Sequence, residues 1–385
     1  MLAEVIGFGG DDAVLMPFGR PEGLRPGLTV VALRRRLRVP VGRAVIGRVL
    51  SAIGTPIDER GRLPTVRLRE LLQSGVSPLD RPDITQPFET GQRAIDGLLT
   101  LGRGQRVGLF AGSGVGKSTL LGEIARHAVS DVNVVALVGE RGREVRPFLM
   151  DCLGEEGLRR SVVIVATSDE PPLMRLRAAE TAITIASAFR EEGRNVLFML
   201  DSLTRLAHAQ REVGLLLGEP PTARGYTPSV FQNMASQLEL LGQTSRGAIT
   251  AIVTVLVDGD DTEEPVSDAA RSILDGHIVL DRTLAQKGHY PAISISQSIS
   301  RLFDSVNEPE AIVAGKKIRA ILKTLEEMQD LIRLGMYSKG ASPQIDQAIA
   351  LQPTVNTFLQ QSPNETTSLA ESRLALQRIA EAWPW

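Results

Sequence analysis

Cysteine is nearly absent from this sequence, in which Cys152 is the single thiol among 385 residues. One cysteine excludes an intramolecular disulfide and is typical of a reducing compartment. The N-terminus, MLAEVIGFGGDD, lacks a basic start followed by an apolar run, and no stretch approaches the ~20 apolar residues of a membrane span. We therefore expect a cytosolic protein without a signal peptide.

The sequence also lacks an excess of positive charge and has few aromatic side chains. The 43 Lys and Arg residues are outnumbered by 45 Asp and Glu residues, which gives a net charge of −2, and aromatic residues make up 4% of the chain. Residues 1–60 contain only two aromatics, Phe8 and Phe18. Single-stranded nucleic acids are bound by basic grooves that carry stacking aromatics. The composition therefore predicts no nucleic-acid partner.

The pattern of apolar runs divides the chain into three parts. Residues 1–80 carry short apolar runs broken by glycine and proline, which predicts small antiparallel strands of a sandwich or barrel and the start of a proline-rich linker. Residues 81–307 carry single continuous apolar runs, each followed by a helical stretch, which predicts a parallel sheet with helices on both faces. Residues 308–385 have helical periodicity. The fold class is therefore α/β, with a β domain before the sheet and a C-terminal helical domain after it.

The segment GLFAGSGVGKSTLL, residues 108–121, reads as a strand, a glycine-rich turn and the start of a helix. The strict phosphate-binding pattern has glycine where this chain has Ala111, whose small side chain we expect to fit at the end of the strand. In this pattern the backbone amides of the turn surround phosphate oxygens, the lysine charge meets the outer phosphates and the first hydroxyl binds magnesium. The predicted nucleotide-binding residues are Gly112, Ser113, Gly114, Val115, Gly116, Lys117, Ser118 and Thr119.

Carboxylates at the ends of two other predicted strands complete the candidate site. Asp201 follows the apolar run in NVLFMLDS, and we predict that it holds magnesium together with Ser118. Glu140 and Arg141 follow the run in VNVVALVGER. A carboxylate beside the phosphates can orient and deprotonate the attacking water, and an arginine there could meet the γ-phosphate. The pattern therefore predicts a magnesium-dependent nucleoside triphosphatase.

Several longer motifs resemble the export ATPases of type III secretion systems, which serve flagella and injectisomes and are related to the catalytic subunit of ATP synthase. The resemblance runs from about residue 5 to about residue 365, and its motifs are GERGREVRPFL, DSLTRLAHAQREVGLLLGEPPTARGYTPSVF, TVLVDGDD, SILDGHIVLDR and HYPAISISQSISR. It implies a RecA-like core with an N-terminal β-barrel. VVIVATSDEPPLMRLRAAETA and SDVNVVALVGERGREV are more similar to the flagellar members than to the virulence branch.

The resemblance assigns further roles. It implies that Glu140 is the general base, that Tyr290 stacks on the adenine and that Arg301 reaches the site of a neighbouring subunit. It also implies a homo-oligomeric ring, a hexamer when assembled, that releases, unfolds and delivers export substrates. The implied partners are stator or regulator proteins, a central stalk, chaperones and the export gate. That gate would hold the protein peripherally at the inner face of the cell membrane.

Three features depart from the family. The resemblance starts partway through the N-terminal barrel, and a barrel that lacks strands leaves unpaired edges, so we expect weakened ring assembly. Relatives have a Leu-Pro-rich segment that contains a Glu-Arg pair and faces the interior of the ring. This chain has QNMASQLELLGQTSRG in its place, which puts subunit coupling and cargo handling in doubt. The tail after Gln361 extends beyond the usual end.

Three alternatives stay open at this stage. An ATP synthase catalytic subunit would have Gly-Glu-Arg-Thr where this chain has Gly-Glu-Arg-Gly-Arg-Glu. A hexameric RNA translocase would need an aromatic, basic platform near its N-terminus. A catalytically silent ring member would not need all of Lys117, Glu140, Asp201 and Arg301.

Overall fold

The computed structural model describes residues 1–71, 75, 77–257 and 264–384, apart from the side chain of Ile332. Residues 258–261, the end of the TVLVDGDD motif, lie outside the described residues. The strands are β1 (Ala3–Gly9), β2 (Asp12–Pro17), β3 (Arg38–Val41), β4 (Val49–Ser51), β5 (Arg67–Glu70), β6 (Pro87–Phe88), β7 (Leu101–Gly102), β8 (Arg106–Ala111), β9 (Val132–Glu140), β10 (Ser161–Thr167), β11 (Asn195–Asp201), β12 (Gly242–Gln243), β13 (Ala248–Leu256), β14 (Gly276–Leu280) and β15 (Ile293–Ser300).

Helices cover the sheet and form the C-terminal part of the chain. They are α1 (Arg93–Leu98), α2 (Lys117–His127), α3 (Gly142–Pro147), α4 (Gly154–Arg159), α5 (Pro172–Glu191), α6 (Leu203–Leu216), α7 (Pro228–Glu239), α8 (Pro265–Ile273), α9 (Arg282–Gln286), α10 (Pro309–Arg333), α11 (Pro343–Leu359) and α12 (Leu369–Glu381). A π-helical turn, Phe148–Leu153, joins α3 to α4. No helix among the described residues is both long enough and apolar enough to cross a membrane.

The central sheet contains nine strands of the described chain, in the order β15-β14-β8-β13-β11-β9-β10-β4, with β12 beside β13. The strands from β14 to β4 run parallel to one another, which confirms the predicted parallel sheet. All nine residues of β9 are buried, because helices cover both faces of the sheet. The two hydrophobic core clusters of the structure lie on opposite faces of this sheet.

One edge of the sheet differs from a simple parallel arrangement. The run PAISISQS forms β15, which pairs antiparallel with β14. The chain reverses direction between these strands through the short helix α9, which leaves no room for a full crossover helix. Strand β14 is only five residues long and alternates between buried and half-buried positions, so it lacks the continuous apolar run on which the other predicted strands depend.

The N-terminal part forms small antiparallel sheets, as predicted for a partial barrel. Strand β1 pairs with β2, and β3 pairs with β5. Strand β4 leaves this part and adds to the edge of the central sheet, parallel to β10. An ion pair between Glu4 and Arg177 fixes β1 to α5. The N-terminal β domain is therefore attached to the central domain at more than one point.

The carboxylate of Asp58 holds the turn after β4. It accepts hydrogen bonds from Arg48 Nε at 2.7 Å, Arg48 Nη2 at 2.9 Å and the backbone of Val49 at 3.0 Å. The hydrogen bonds from Arg48 lower the pKa of Asp58 to about 2, against the opposing effect of burial. Because the folded pKa lies below the unfolded value, this stabilisation is present above about pH 4 and is lost as the pH falls through about 2.

We expect Asp58→Asn to lower the free energy of unfolding by about 2 kcal/mol at pH 7. The deficit should shrink to about half by pH 3, because the carboxyl of the unfolded wild-type chain, which has the higher pKa, takes up protons there. Urea unfolding at both pH values measures it. Asp304→Asn is the control, since Asp304 and Lys316 form an exposed pair at 3.7 Å. An equal deficit at pH 7 and pH 3 would contradict the assignment.

The C-terminal residues form a helical domain that packs on the central one. Helix α12 begins with a capping box, in which Ser368 and Glu371 exchange side-chain and backbone hydrogen bonds. Trp383, just beyond α12, is fully buried. The tail after Gln361 is therefore part of the core of this domain and packs against α1 and α10.

Candidate active site

The phosphate loop joins β8 to α2. Gly116 has φ 92°, a left-handed conformation that glycine adopts at little cost, and helix α2 begins at the next residue, Lys117. Val115 is buried and anchors the turn, whereas Ser113, Gly114, Ser118 and Thr119 are exposed. A helix N-terminus that is open to solvent favours an anion. Ala111 is buried at the end of β8, where its methyl group fits.

Lys117 and Asp201 meet at the carboxyl edge of the sheet. Lys117 Nζ lies 2.5 Å from Asp201 Oδ1, and Thr254 Oγ1 donates to the same oxygen at 2.7 Å. Asp201 ends β11 and Thr254 lies near the end of β13, the strand between β11 and β8. The structure therefore brings these two predicted residues together. Sequence reasoning missed the role of Thr254, whose signals are its place at the start of the TVLVDGDD motif and its hydroxyl within an apolar strand.

Glu140 lies at the end of β9 and faces the same ammonium group. Its Oε1 is 3.5 Å from Lys117 Nζ and has no hydrogen-bond partner among the described residues. Burial raises the pKa of Glu140 to about 7, and the charge of Asp201 adds to this rise while the charge of Lys117 opposes it. A carboxylate with a pKa near the working pH is suited to act as a general base.

Arg205 is a second cation beside Glu140. Its Nε lies 3.3 Å from Glu140 Oε1, and its Nη1 donates to the carbonyl of Gly139 at 2.7 Å. Gly139 has φ 71°, and a Cβ there would lie 2.9 Å from Arg205 Cβ, so only glycine fits. Sequence reasoning missed Arg205. Its signal is its place in DSLTR, one helical turn after Asp201.

Arg141 lies outside this group of charges. It precedes α3, its side chain is 60% exposed, and its Nη1 pairs with Glu144 Oε1 at 3.3 Å. Tyr290, in contrast, lies against the phosphate loop. A Cβ on Gly116 would be 3.5 Å from Tyr290 Cε1, and the tyrosine is 46% exposed. Its ring is thus a half-open aromatic surface beside the loop.

Arg301 lies near the amino ends of the parallel strands, opposite to the carboxyl ends, where the phosphate loop lies. It follows Ser300, which pairs with Gly276 at the start of β14, whereas Leu280 at the end of β14 pairs with Ala111 beside the phosphate loop. Four strand steps, about 13 Å, separate these two positions along β14. Arg301 Nη2 donates to the carbonyl of Arg271 at 3.0 Å. The structure therefore separates Arg301 from the phosphate loop of its own chain.

The oxygen atoms of the site fit a magnesium ion. The Ser118 hydroxyl is exposed, the Asp201 carboxylate is buried beside Lys117, and Glu140 Oε1 is buried without a hydrogen bond. Magnesium prefers oxygen ligands and is usually bound by one or two protein groups together with substrate phosphates. In the described part of the chain, no three His, Cys, Asp or Glu side chains are grouped to hold a metal without a substrate.

These features define a class of protein. A buried parallel strand, a glycine-rich loop that opens a helix, and acidic residues at the ends of neighbouring strands form a RecA-like P-loop nucleotide-binding core. The family model of the ATP synthase alpha/beta nucleotide-binding domain matches residues 91–300. The model of the C-terminal domain of the type III secretion ATPase EscN matches residues 307–378, and that of the alpha/beta family β-barrel domain matches residues 1–34.

Similar proteins agree with these matches over nearly the whole chain. The flagellum-specific ATP synthase of Bacillus subtilis is 51% identical over 98% of this chain and 86% of its own length. The SPI-2 type 3 secretion system ATPase of Salmonella typhimurium is 47% identical over 94% of this chain and 84% of its own length. The assembled ATPase EscN of enteropathogenic E. coli has a TM-score of 0.94 at 44% identity, covering 98% of this chain and 92% of that one.

The chain therefore belongs to the ATP synthase alpha/beta family and, within it, to the ATPases of type III secretion and flagellar export. The predicted family and fold class are confirmed. The roles of the individual site residues remain predictions, and the domain boundaries at residues 80 and 307 remain predictions too.

Proposed function

We propose that this chain hydrolyses Mg-ATP at sites formed between copies of itself in a ring, and that hydrolysis drives release, unfolding and delivery of substrates to a type III export apparatus. The observation that carries the proposal is the buried carboxylate of Glu140 beside Lys117 and Asp201. This arrangement has a base, a phosphate-binding cation and a metal-binding carboxylate at one edge of the sheet. Arg301 at the opposite edge is available to another copy.

The chemistry assigned to the chain is an in-line attack of water on the γ-phosphorus. Glu140 accepts the proton of the water, the new phosphorus–oxygen bond forms, and the bond to the β–γ bridging oxygen breaks, which leaves ADP and phosphate. Lys117 and the backbone amides of residues 112–116 hold the phosphate oxygens. Arg205 keeps the Glu140 carboxylate in place through its ion pair.

Ser118, Tyr290 and Arg141, together with Asp201, complete the proposed site. Ser118 and Asp201 would hold magnesium, which when bound neutralises negative charge on the phosphates. Tyr290 supplies a ring on which adenine can stack, since it is half-exposed beside Gly116. Arg141 precedes α3 at the same edge of the sheet and is assigned to the γ-phosphate, which requires its exposed side chain to turn inward from Glu144.

The proposed partners follow from the family. EscN has been solved as an assembled ATPase and in complex with its central stalk EscO. We assign to this chain a homo-hexamer, a central stalk, stator or regulator proteins, export substrates with their chaperones, and no nucleic acid. The proposed location is the cytoplasm, peripherally at the inner face of the cell membrane through the export gate. Of the two branches we favour the flagellar one, and the 51% identity to the Bacillus protein supports it.

The rate of ATP hydrolysis should rise more steeply than linearly with protein concentration. If Arg301 of one copy completes the site of another, the active species is the assembly and dilution removes active sites faster than it removes chains. Steady-state ATPase assays across a wide dilution series, with light scattering at each concentration, measure this. A specific activity that stays constant down to concentrations at which the chain is monomeric would refute sites shared between subunits.

A further inference from the structure

The loop of residues 360–368, between α11 and α12, is fastened to the nucleotide-binding domain. The guanidinium of Arg93 donates to the carbonyl of Phe358 at 3.1 Å and pairs with Glu365. Arg126, on the helix that begins at the phosphate loop, donates to the carbonyl of Pro363 at 3.1 Å. The loop thus lies on the same helix that carries Lys117 and Ser118.

Gln361 is the buried centre of this loop. It is only 5% exposed, and its Nε2 donates to the carbonyls of Gly91 and Glu365, both at 2.7 Å. Its Oε1 accepts from the backbone N–H of Arg93 at 2.9 Å. Both amide donors and the amide oxygen are therefore bonded, which fixes the side chain in one orientation.

The backbone of Gln361 contacts the residue assigned to the adenine. Its N–H donates to the carbonyl of Tyr290 at 2.9 Å. Tyr290 lies in the turn between α9 and β15, and its half-exposed ring lies against Gly116. The position of this ring therefore depends on a hydrogen bond from the C-terminal domain, and the side chain of Gln361 holds that donor in place.

We propose that Gln361 is a positioning residue for the nucleotide base: its side-chain amide fixes the main chain that holds Tyr290 beside the phosphate loop. The inference rests on the proposed function, in which Tyr290 stacks on adenine. It extends that function to the C-terminal domain, whose packing then sets the affinity for the base. The amide touches neither the phosphates nor the base, so its effect passes through Tyr290.

Gln361→Ala should weaken binding of ATP with magnesium about tenfold, because one stacked base is lost or misplaced. Binding of inorganic tripolyphosphate, which has the phosphates but no base, should change by less than about twofold. Equilibrium calorimetry with the full chain measures both ligands. In the ATPase assay KM should rise while kcat stays nearly constant, which a general loss of structure would not produce.

The controls separate this inference from the proposed function. Gln361→Met keeps the volume and removes the amide, so it tests the same hydrogen bonds if the alanine variant does not fold. Gln347→Ala removes another amide of the C-terminal domain, one that donates to the carbonyl of Ala382 at 2.9 Å, and should leave ATP affinity unchanged. In a Tyr290→Ala background, Gln361→Ala should have no further effect on ATP binding.

The possible results of these experiments distinguish the role of Gln361 from the stacking role of Tyr290. Equal losses of ATP and tripolyphosphate affinity, unchanged ATP affinity, or full additivity with Tyr290→Ala would overturn the role of Gln361. If Tyr290→Ala itself leaves ATP affinity unchanged, the stacking role fails, and the inference fails with it. If Tyr290→Ala weakens ATP binding and the Gln361 variants do not, the inference alone fails and the proposed function stands.

Discussion

Glu140→Gln abolishes ATP turnover and leaves nucleotide binding intact: this is the result we expect, with kcat reduced at least about 100-fold. The amide keeps the shape of the carboxyl group but cannot accept a proton from water. The buried carboxylate has its pKa raised to about 7 by burial and by Asp201. A raised folded pKa means that the charged form destabilises the native state as the pH rises from about 4.5 through 7. The amide removes that cost, so the variant should be no less stable than wild type at pH 8.

A matched control exists on α2. Glu123 is also buried, and burial raises its pKa as well, but its amide partner is Gln92, at 3.1 Å. Glu123→Gln should retain turnover within a few-fold, which shows that the loss in Glu140→Gln is specific to that carboxylate. Single-turnover kinetics with Mg-ATP, together with equilibrium binding, measure both variants. If Glu140→Gln still turns over at a rate near wild type, another group activates the water.

Local patterns were sufficient to predict the elements that build the centre of this site. Glu140 and Asp201 each follow a continuous apolar run, and a strand buried on both faces has to end where polar residues begin. Parallel strands end at one edge, so two carboxylates in sequence become neighbours of one lysine in space. The glycine-rich loop carries its own conformational requirement, which Gly116 satisfies with φ 92°.

The missed residues depend on contacts between distant segments. Arg205 reaches Glu140 only because α6 returns beside β9, and Gln361 meets Tyr290 across 71 positions of sequence. The only local signal of Arg205 is its place in DSLTR after Asp201, and Gln361 has no signal in the local pattern. Strand β14 also gives a weak local signal: it has five residues with alternating burial and lacks the continuous apolar run that predicts a fully buried parallel strand.

The position of Arg301 shows what topology adds to a motif. The resemblance implied a role at a neighbouring site, but the sequence does not show where the arginine lies relative to the phosphate loop of its own chain. Because β15 runs antiparallel to β14, its last residue lies where β14 begins, at the edge away from Ala111. Because the strand direction reverses once, Arg301 lies on the opposite side of the domain although it follows Tyr290 by only 11 positions.

This separation leads to an expected result for mixtures of inactive variants. Arg301→Ala alone should lower kcat by about 1,000-fold, as the loss of a cation that stabilises the transferred phosphoryl group does in related chemistry. Glu140→Gln alone should be inactive as well. In mixed rings, a site between an Arg301→Ala chain that supplies Glu140 and a Glu140→Gln chain that supplies Arg301 is complete. Random assembly at equal concentrations makes about a quarter of the interfaces complete, by the symmetry of a head-to-tail ring.

ATPase assays on the two variants, separately and mixed at equal total concentration, measure the recovery. Arg271→Lys serves as the neighbouring control in the same mixing scheme, since the backbone carbonyl of Arg271 contacts the Arg301 guanidinium and that carbonyl is retained. Recovered activity requires Glu140 and Arg301 to come from different chains, because neither variant has both. A mixture no more active than its parts, in rings shown to exchange subunits, would refute a site in which Glu140 and Arg301 come from different chains.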